Sequence, residues 1–393
     1  MPRAFWILMI AIFVNRLGSV VGLFLTMWLC EVHKLSEIDA TVIVGSLGIG
    51  AMLGSPIGGW MADHFGRRTT MVTSLLLSGL VMVVLPSLPP NQFVLACALG
   101  ILTFFSEMHR PAGSAAIADL VAPPRRPRAY GIFRVIINLA FGIGALVGGW
   151  VVRHSFSALF YIDAITSLLA VVLLIRFCPE SRPTPSRDAA TSTAPLAIST
   201  WIFMVFLFFY LLVSIIATQM NTNLPLYIRD FGASRDEQMQ FYGSLVAING
   251  FGVVIAQLPI SRLLDRLSAS AALALGALLY GAGYGLVAFP YAPWLLVVAM
   301  AVITAGEMVF MPAGSAYVAD IAPVERRGRY MGWLIMMYGI ARTIGPALAS
   351  LVIARHGDRA VWLLSPALGI FAALGLAIVC RGPRPHAPAL RQN

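Results

Sequence analysis

Glu107-Met-His-Arg-Pro-Ala-Gly-Ser-Ala-Ala-Ile-Ala-Asp119 returns later in the chain as Glu307-Met-Val-Phe-Met-Pro-Ala-Gly-Ser-Ala-Tyr-Val-Ala-Asp320. The block Pro-Ala-Gly-Ser-Ala recurs from Pro111 to Pro312, an offset of 201 residues, and an Asp closes both copies. Arg125, Arg126 and Arg128 after the first copy align with Arg326, Arg327 and Arg329 after the second. Two unrelated Ala/Gly-rich helices would not share a pentapeptide, a terminal acid and an arginine pattern. The chain therefore holds an internal repeat, and repeats fix architecture before any local reading does.

Around this repeat the composition is that of a membrane protein. Of 393 residues, 59% are hydrophobic and 11% charged, against about 25% charged in soluble domains. A mean hydropathy of +0.84 is too high for one water-soluble core. A membrane span needs roughly 20 apolar residues. Spans are expected near 4–29, 40–62, 69–88, 92–119, 129–152 and 157–177. A second set is expected near 200–227, 238–264, 269–289, 293–320, 329–353 and 359–380. The first run is too long for a signal-peptide core and no cleavage site follows it.

Six spans separate the two repeat copies, so both have the same orientation. The fold expected is all-α and integral to the membrane: twelve transmembrane helices as two parallel-repeat six-helix bundles, a known transporter architecture. Residues 1–178 form the first bundle, 179–199 a polar linker rich in Pro, Ser and Thr, and 200–393 the second bundle with a short tail.

An even number of spans places both termini on one side. That side carries 17 of the 27 basic residues, the other side 6, and 4 lie within spans. Positive charge marks the cytoplasmic face, so termini and linker are expected there, in the inner or plasma membrane. The net charge of +10 is thus a topology signal rather than a nucleic-acid footprint. Cys30, Cys97, Cys178 and Cys380 lack metal spacing and are expected as free thiols. No phosphate-binding loop, metal set or nucleophile–base pair is present, so no enzyme activity, cofactor or bound metal is expected.

After the second span the chain reads Gly58-Gly59-Trp60-Met61-Ala62-Asp63-His64-Phe65-Gly66-Arg67-Arg68. This resembles the loop motif of the major facilitator superfamily, G-x-x-x-D-R/K-x-G-R-R/K. His64 departs from the pattern, standing where the family has Arg or Lys. The matching stretch of the second half, Ser261 to Arg266, keeps Asp265 but lacks the glycine and the arginine pair. The resemblance implies a gating latch in which Asp63 faces the start of helix 11 near Arg329 and Arg67 pairs with Asp119. A carboxylate at a helix N-terminus meets unpaired amides and a favourable dipole, and Gly66 permits a tight turn. Topology anchoring by Arg67 and Arg68 is the plainer alternative. Gly142, Gly144, Gly148 and Gly149 resemble the helix-5 pattern of the twelve-helix drug/proton antiporter branch, with Ala145 in place of its proline. Close helix packing explains the same glycines.

The four arginines within spans are Arg16, Arg110, Arg134 and Arg342. Such charges usually face an interior or an aqueous cavity. By the resemblance, all four fall on or beside cavity-lining helices. Glu107 and Arg110 share a helical face, as do Arg134 and Asn138; Asn15 neighbours Arg16. A closed Glu107–Arg110 pair and a snorkelling Arg134 are the structural alternatives. Glu107 and Glu307 are the candidate proton carriers. Asp163 is a lesser one, expected to pair with Arg153 or to cap a helix.

The function expected is secondary active transport by alternating access, as proton-coupled efflux of drug-like or metabolite compounds. The alternative is a proton-linked importer or facilitator of an organic anion, since four arginines against two glutamates leave the interior positive. The partners expected are a small-molecule substrate, protons and the lipid bilayer, for a chain acting as a monomer.

Overall fold

The computed structural model describes residues 1–181, 200–228, 235–264, 266–289 and 293–380. The linker from residue 182, Asp265 and the tail from residue 381 lie outside the described residues. The first half comprises α1 (Arg3–Gly18), α2 (Val21–Glu31), α3 (Glu37–Phe65), α4 (Arg67–Val84), α5 (Gln92–Leu120), α6 (Arg126–Val152) and α7 (Phe156–Phe177). The second comprises α8 (Thr200–Thr222), α9 (Leu224–Tyr227), α10 (Arg235–Leu264), α11 (Ala269–Val287), α12 (Pro293–Ile321), α13 (Arg327–His356) and α14 (Arg359–Val379). Among the described residues 11 helical segments are long and apolar enough to cross a membrane. The 29-residue α3 reads as a further crossing.

Helix boundaries follow local chemistry. Ser36, Asn91, Ser155 and Ser268 each accept an N–H of the first turn of α3, α5, α7 and α11, which satisfies amides that have no partner within the helix. Pro111 and Pro312, the same position in the two repeat copies, lie inside α5 and α12. Membrane helices tolerate such prolines because neighbours re-satisfy the freed backbone groups. The first expected span departs from the sequence reading: it is two helices, α1 and α2, broken at Ser19 and Val20. The spans expected to begin at 69, 129 and 329 start two or three residues earlier, at Arg67, Arg126 and Arg327.

The chain divides into two compact units. Unit 1 is Met1–Val121, Phe133–Pro185 and Val324–Ile340; unit 2 is Ala122–Ile132, Ser186–Pro323 and Ala341–Asn393. The start of α13 thus belongs to unit 1, and the start of α6 to unit 2.

In unit 1, α3 and α5 touch along a glycine stripe. A Cβ added at Gly50, Gly54 or Gly58 would stand 2.3 Å from the carbonyl oxygens of Gly100, Phe104 and Met108. Lipid tails are as apolar as the side chains, so such close backbone packing carries much of helix association. Trp28, Leu29, Leu85, Leu99 and Phe160 fill the core of this unit. In unit 2, Tyr210 stacks on Phe310 at 4.9 Å between α8 and α12. The four cysteines are free. Cys178 lies just past α7, where burial pushes its thiol above the usual range.

Candidate functional site

The turn between α3 and α4 builds the first cluster. Gly66 has φ +104°, a conformation open to glycine, and it is the one residue between the end of α3 at Phe65 and the start of α4 at Arg67. Asp63, in the last turn of α3, accepts the N–H of Gly328 at 2.8 Å and of Arg329 at 2.9 Å. Both amides belong to the first turn of α13, so the carboxylate satisfies donors that the helix itself leaves unpaired. The Arg329 Nε adds a longer contact at 3.4 Å. Gly59 and Gly328 bring the two backbones together: a Cβ on Gly328 would lie 2.4 Å from the Gly59 carbonyl oxygen.

Arg67 is buried at the centre of this cluster, with a side chain 1% exposed. Its Nη1 donates to Asp63 at 3.1 Å and to the Ala62 carbonyl at 2.7 Å. Its Nε donates to Asp119 at 3.1 Å and its Nη2 to the Val324 carbonyl at 3.1 Å. The other Asp119 oxygen accepts from Arg327. The sequence reading placed Asp63 near Arg329 and Arg67 near Asp119, and the structure brings those residues together. It did not anticipate Arg327, although the alignment of Arg327 with Arg126 marked the position.

Arg68 stands apart from that cluster. It donates to the Cys178 carbonyl at 3.2 Å and lies 3.9 Å from Glu180. Glu180, which the sequence reading passed over as linker, accepts the N–H groups of Arg68 and Thr69 at 2.9 Å and the Thr69 hydroxyl at 2.7 Å. It is the N-terminal cap of α4. The signal was an acid just beyond the end of an apolar run.

Within the spans of unit 1, Glu107 and Arg110 pair at 2.7 Å on α5, with side chains 20% and 35% exposed. Arg16 on α1 acts electrostatically on Glu107, Arg110 and Asp163. Asn15 turns to the side and donates to Ser167 at 3.0 Å. Arg134 is half-buried on α6, and Asn138 bonds to its carbonyl at 2.9 Å, a contact along one helix. The expectation for Asp163 is corrected. It is buried against Ser19 and Ser167 while Arg153 is exposed, because α7 turns that residue inward against α1.

In unit 2, Glu307 accepts from Asn249 at 2.8 Å, and Asn249 also donates to Thr304 at 3.0 Å. Arg126 pairs with Asp320 and donates to the Ala319 carbonyl at 3.1 Å. Arg342 is exposed on α13. Among the described residues no cluster of His, Cys, Asp and Glu side chains is arranged to hold a metal ion.

The family model for the Major Facilitator Superfamily matches residues 8–242 and 208–393. A relative from Planococcus maritimus, described as a Na(+), Li(+), K(+)/H(+) antiporter, is 24% identical over 74% of this chain and 75% of its own length. The quinolone resistance protein NorA of Staphylococcus aureus is 23% identical over 91% of each chain. Among solved structures, the human organic anion transporter MFSD10 superposes with a TM-score of 0.75 at 17% identity, covering 96% of this chain and 100% of the other. The twelve-helix, two-repeat fold is shared with that structure.

Proposed function

This chain belongs to the major facilitator superfamily of multi-pass membrane transporters, and on that footing we propose that it is a proton-coupled exporter of drug-like or metabolite compounds. The observation that carries this reading is the charged cluster inside the first half. Arg16, Glu107 and Arg110 lie within spans, yet Glu107 and Arg110 remain partly exposed. Charge at that depth is costly, and where it occurs it usually faces an interior or a water-filled pathway. Proteins described as drug-resistance transporters and cation/proton antiporters among the relatives support efflux by antiport.

Movement follows alternating access of two halves, residues 1–178 and 200–393, joined by a cytoplasmic linker. The Asp63 cluster acts as the gating latch. Asp63, Arg67, Asp119 and Arg329 hold the start of α13, Gly66 shapes the turn, and Arg68 braces it through Glu180. The solute, on this reading, bears an anionic group that meets Arg16, with Arg110, Arg134 and Arg342 reinforcing the positive field. Glu107 and Glu307 are the primary proton carriers, and Asn15 and Asn138 supply polar contacts.

Only differential binding to two states shifts their populations, so proton coupling is read from a gradient. Full-length protein in vesicles with an imposed pH gradient should move a fluorescent carboxylate against the proton flow. Glu107→Gln with Glu307→Gln should abolish that accumulation. Retained gradient-driven accumulation would overturn the carrier assignment. Movement of the carboxylate with the protons would replace export by the second reading, proton-linked uptake of an organic anion, which Arg16 within its span favours.

A further inference from the structure

We propose that Asp163 is a proton-binding group of the first half, held in a polar seam between α1 and α7 and set by Arg16. The inference rests on the proton-coupled reading and deepens it by raising Asp163, ranked in the sequence reading behind Glu107 and Glu307, to a proton-binding group with a defined setting.

The seam begins at the break in the first span. α1 ends at Gly18, and the chain turns through Ser19 and Val20 before α2. A Cβ on Gly18 would stand 2.0 Å from the Thr166 hydroxyl and 2.8 Å from the Asp163 Cα. The two helices therefore meet backbone to backbone at the level of Asp163. In membrane transporters the ends of interrupted helices gather where coupling ions bind.

Asp163 is 4% exposed, and its carboxylate is poorly served. Ser19 and Ser167 each approach Oδ1 at 3.5 Å, long for an O–H···O bond, which centres near 2.7–2.8 Å. The single Ser19 proton is shared with the Asn15 carbonyl at 3.1 Å. Asp163 forms no ion pair among the described residues. A buried carboxylate without close donors is strongly disfavoured in its ionised form. Protonation removes that cost and leaves the two serine oxygens as acceptors for the new O–H.

The charges around it are few. α1 contributes Arg16, which acts electrostatically on Asp163 and whose buried Nε has no hydrogen-bond partner among the described residues. Arg16 also faces Glu107, Arg110 and His109 of α5, but Glu107 is committed to Arg110 at 2.7 Å. α4 faces the seam with Gly79, near Ala164 and Ser167, and its charges, Arg67 and Arg68, sit at the far end of that helix. On α2 the charge is Glu31, in the last turn; on α7 it is Arg176, at the opposite end from Asp163. Arg16 is thus the positioning residue. When its guanidinium serves Asp163 the carboxylate is stabilised, and when a ligand anion draws it away the proton is favoured.

The test is pH-dependent infrared difference spectroscopy on the purified full-length protein, reading the protonated-carboxyl stretch. Wild type should show a carboxyl band that appears as pH falls. Asp163→Asn should remove it, and Asp163→Glu should restore it with a displaced midpoint. Arg16→Gln should keep the band and raise its midpoint by about one to three pH units, the range that a neighbouring opposite charge accounts for. Three results would overturn the proposal: a band unchanged in Asp163→Asn, a band lost in Glu107→Gln instead, or a band removed by sodium chloride but not by equimolar choline chloride. The spectra need no transported solute. If wild-type transport proves indifferent to a pH gradient, the proton-coupled reading fails while the titration of Asp163 is judged separately.

Discussion

Asp119 and Asp320 close the two copies of one sequence block, but their surroundings differ. In unit 1, Asp119 takes Arg67 and Arg327, and Arg67 in turn holds Asp63 against the first amides of α13. In unit 2, among the described residues, Asp320 takes Arg126, and near the end of α10 Gln257 donates to Ser261, which lies against Gly131 of α6. The repeat supplies each copy with an acid and an arginine. The loop motif of the first half adds Asp63 and a buried arginine. Among the described residues, the first junction thus carries a charged network, while the second shows the Arg126–Asp320 pair. We read the charged junction as the latch that governs gating.

If that contrast is real, substitutions should rank by junction. The largest effect is expected for Asp63→Ala, which strands the buried Arg67 and leaves two α13 amides without an acceptor. Removing one partner of a buried pair costs about 3–5 kcal/mol, to be seen as a lower thermal midpoint in detergent. Glu180→Ala should cost less, about 0.5–2 kcal/mol, as the loss of one helix cap. Asp320→Asn should be the mildest, at about 1 kcal/mol or less, because Asp320 is 22% exposed and the asparagine carbonyl can still accept from the buried Arg126. Equal losses for Asp63 and Asp320 would dissolve the comparison, and an inverted order would reverse it.

Most of the fold was legible. Hydropathy and the repeat around Pro111 and Pro312 gave the spans and the two halves, since a lipid-facing helix must announce itself by its apolar length. The Asp63–α13 and Arg67–Asp119 contacts were legible through the loop motif. The pairing of Asp119 with Arg327, and of Asp320 with Arg126, was not. Each acid takes the arginine that follows the other copy of the block, and a repeat in one dimension does not say which partner tertiary packing will choose. The break at Ser19 was hidden because Gly18 and Ser19 sit in an apolar run whose strongly polar interruptions are Asn15 and Arg16. Asp163 was misplaced for a similar reason: helix rotation, which decides whether it meets Arg153 or α1, is set by packing such as that of Gly18 on Thr166.

The most direct test of the latch is side-by-side transport by Asp63→Asn and Asp320→Asn in pH-gradient vesicles, using whichever fluorescent carboxylate the wild type carries fastest. The account predicts that Asp63→Asn slows transport by about tenfold or more, the factor that 1.4 kcal/mol represents, while Asp320→Asn stays within about threefold of wild type. Equal rates in the two variants, or the greater loss in Asp320→Asn, would contradict it.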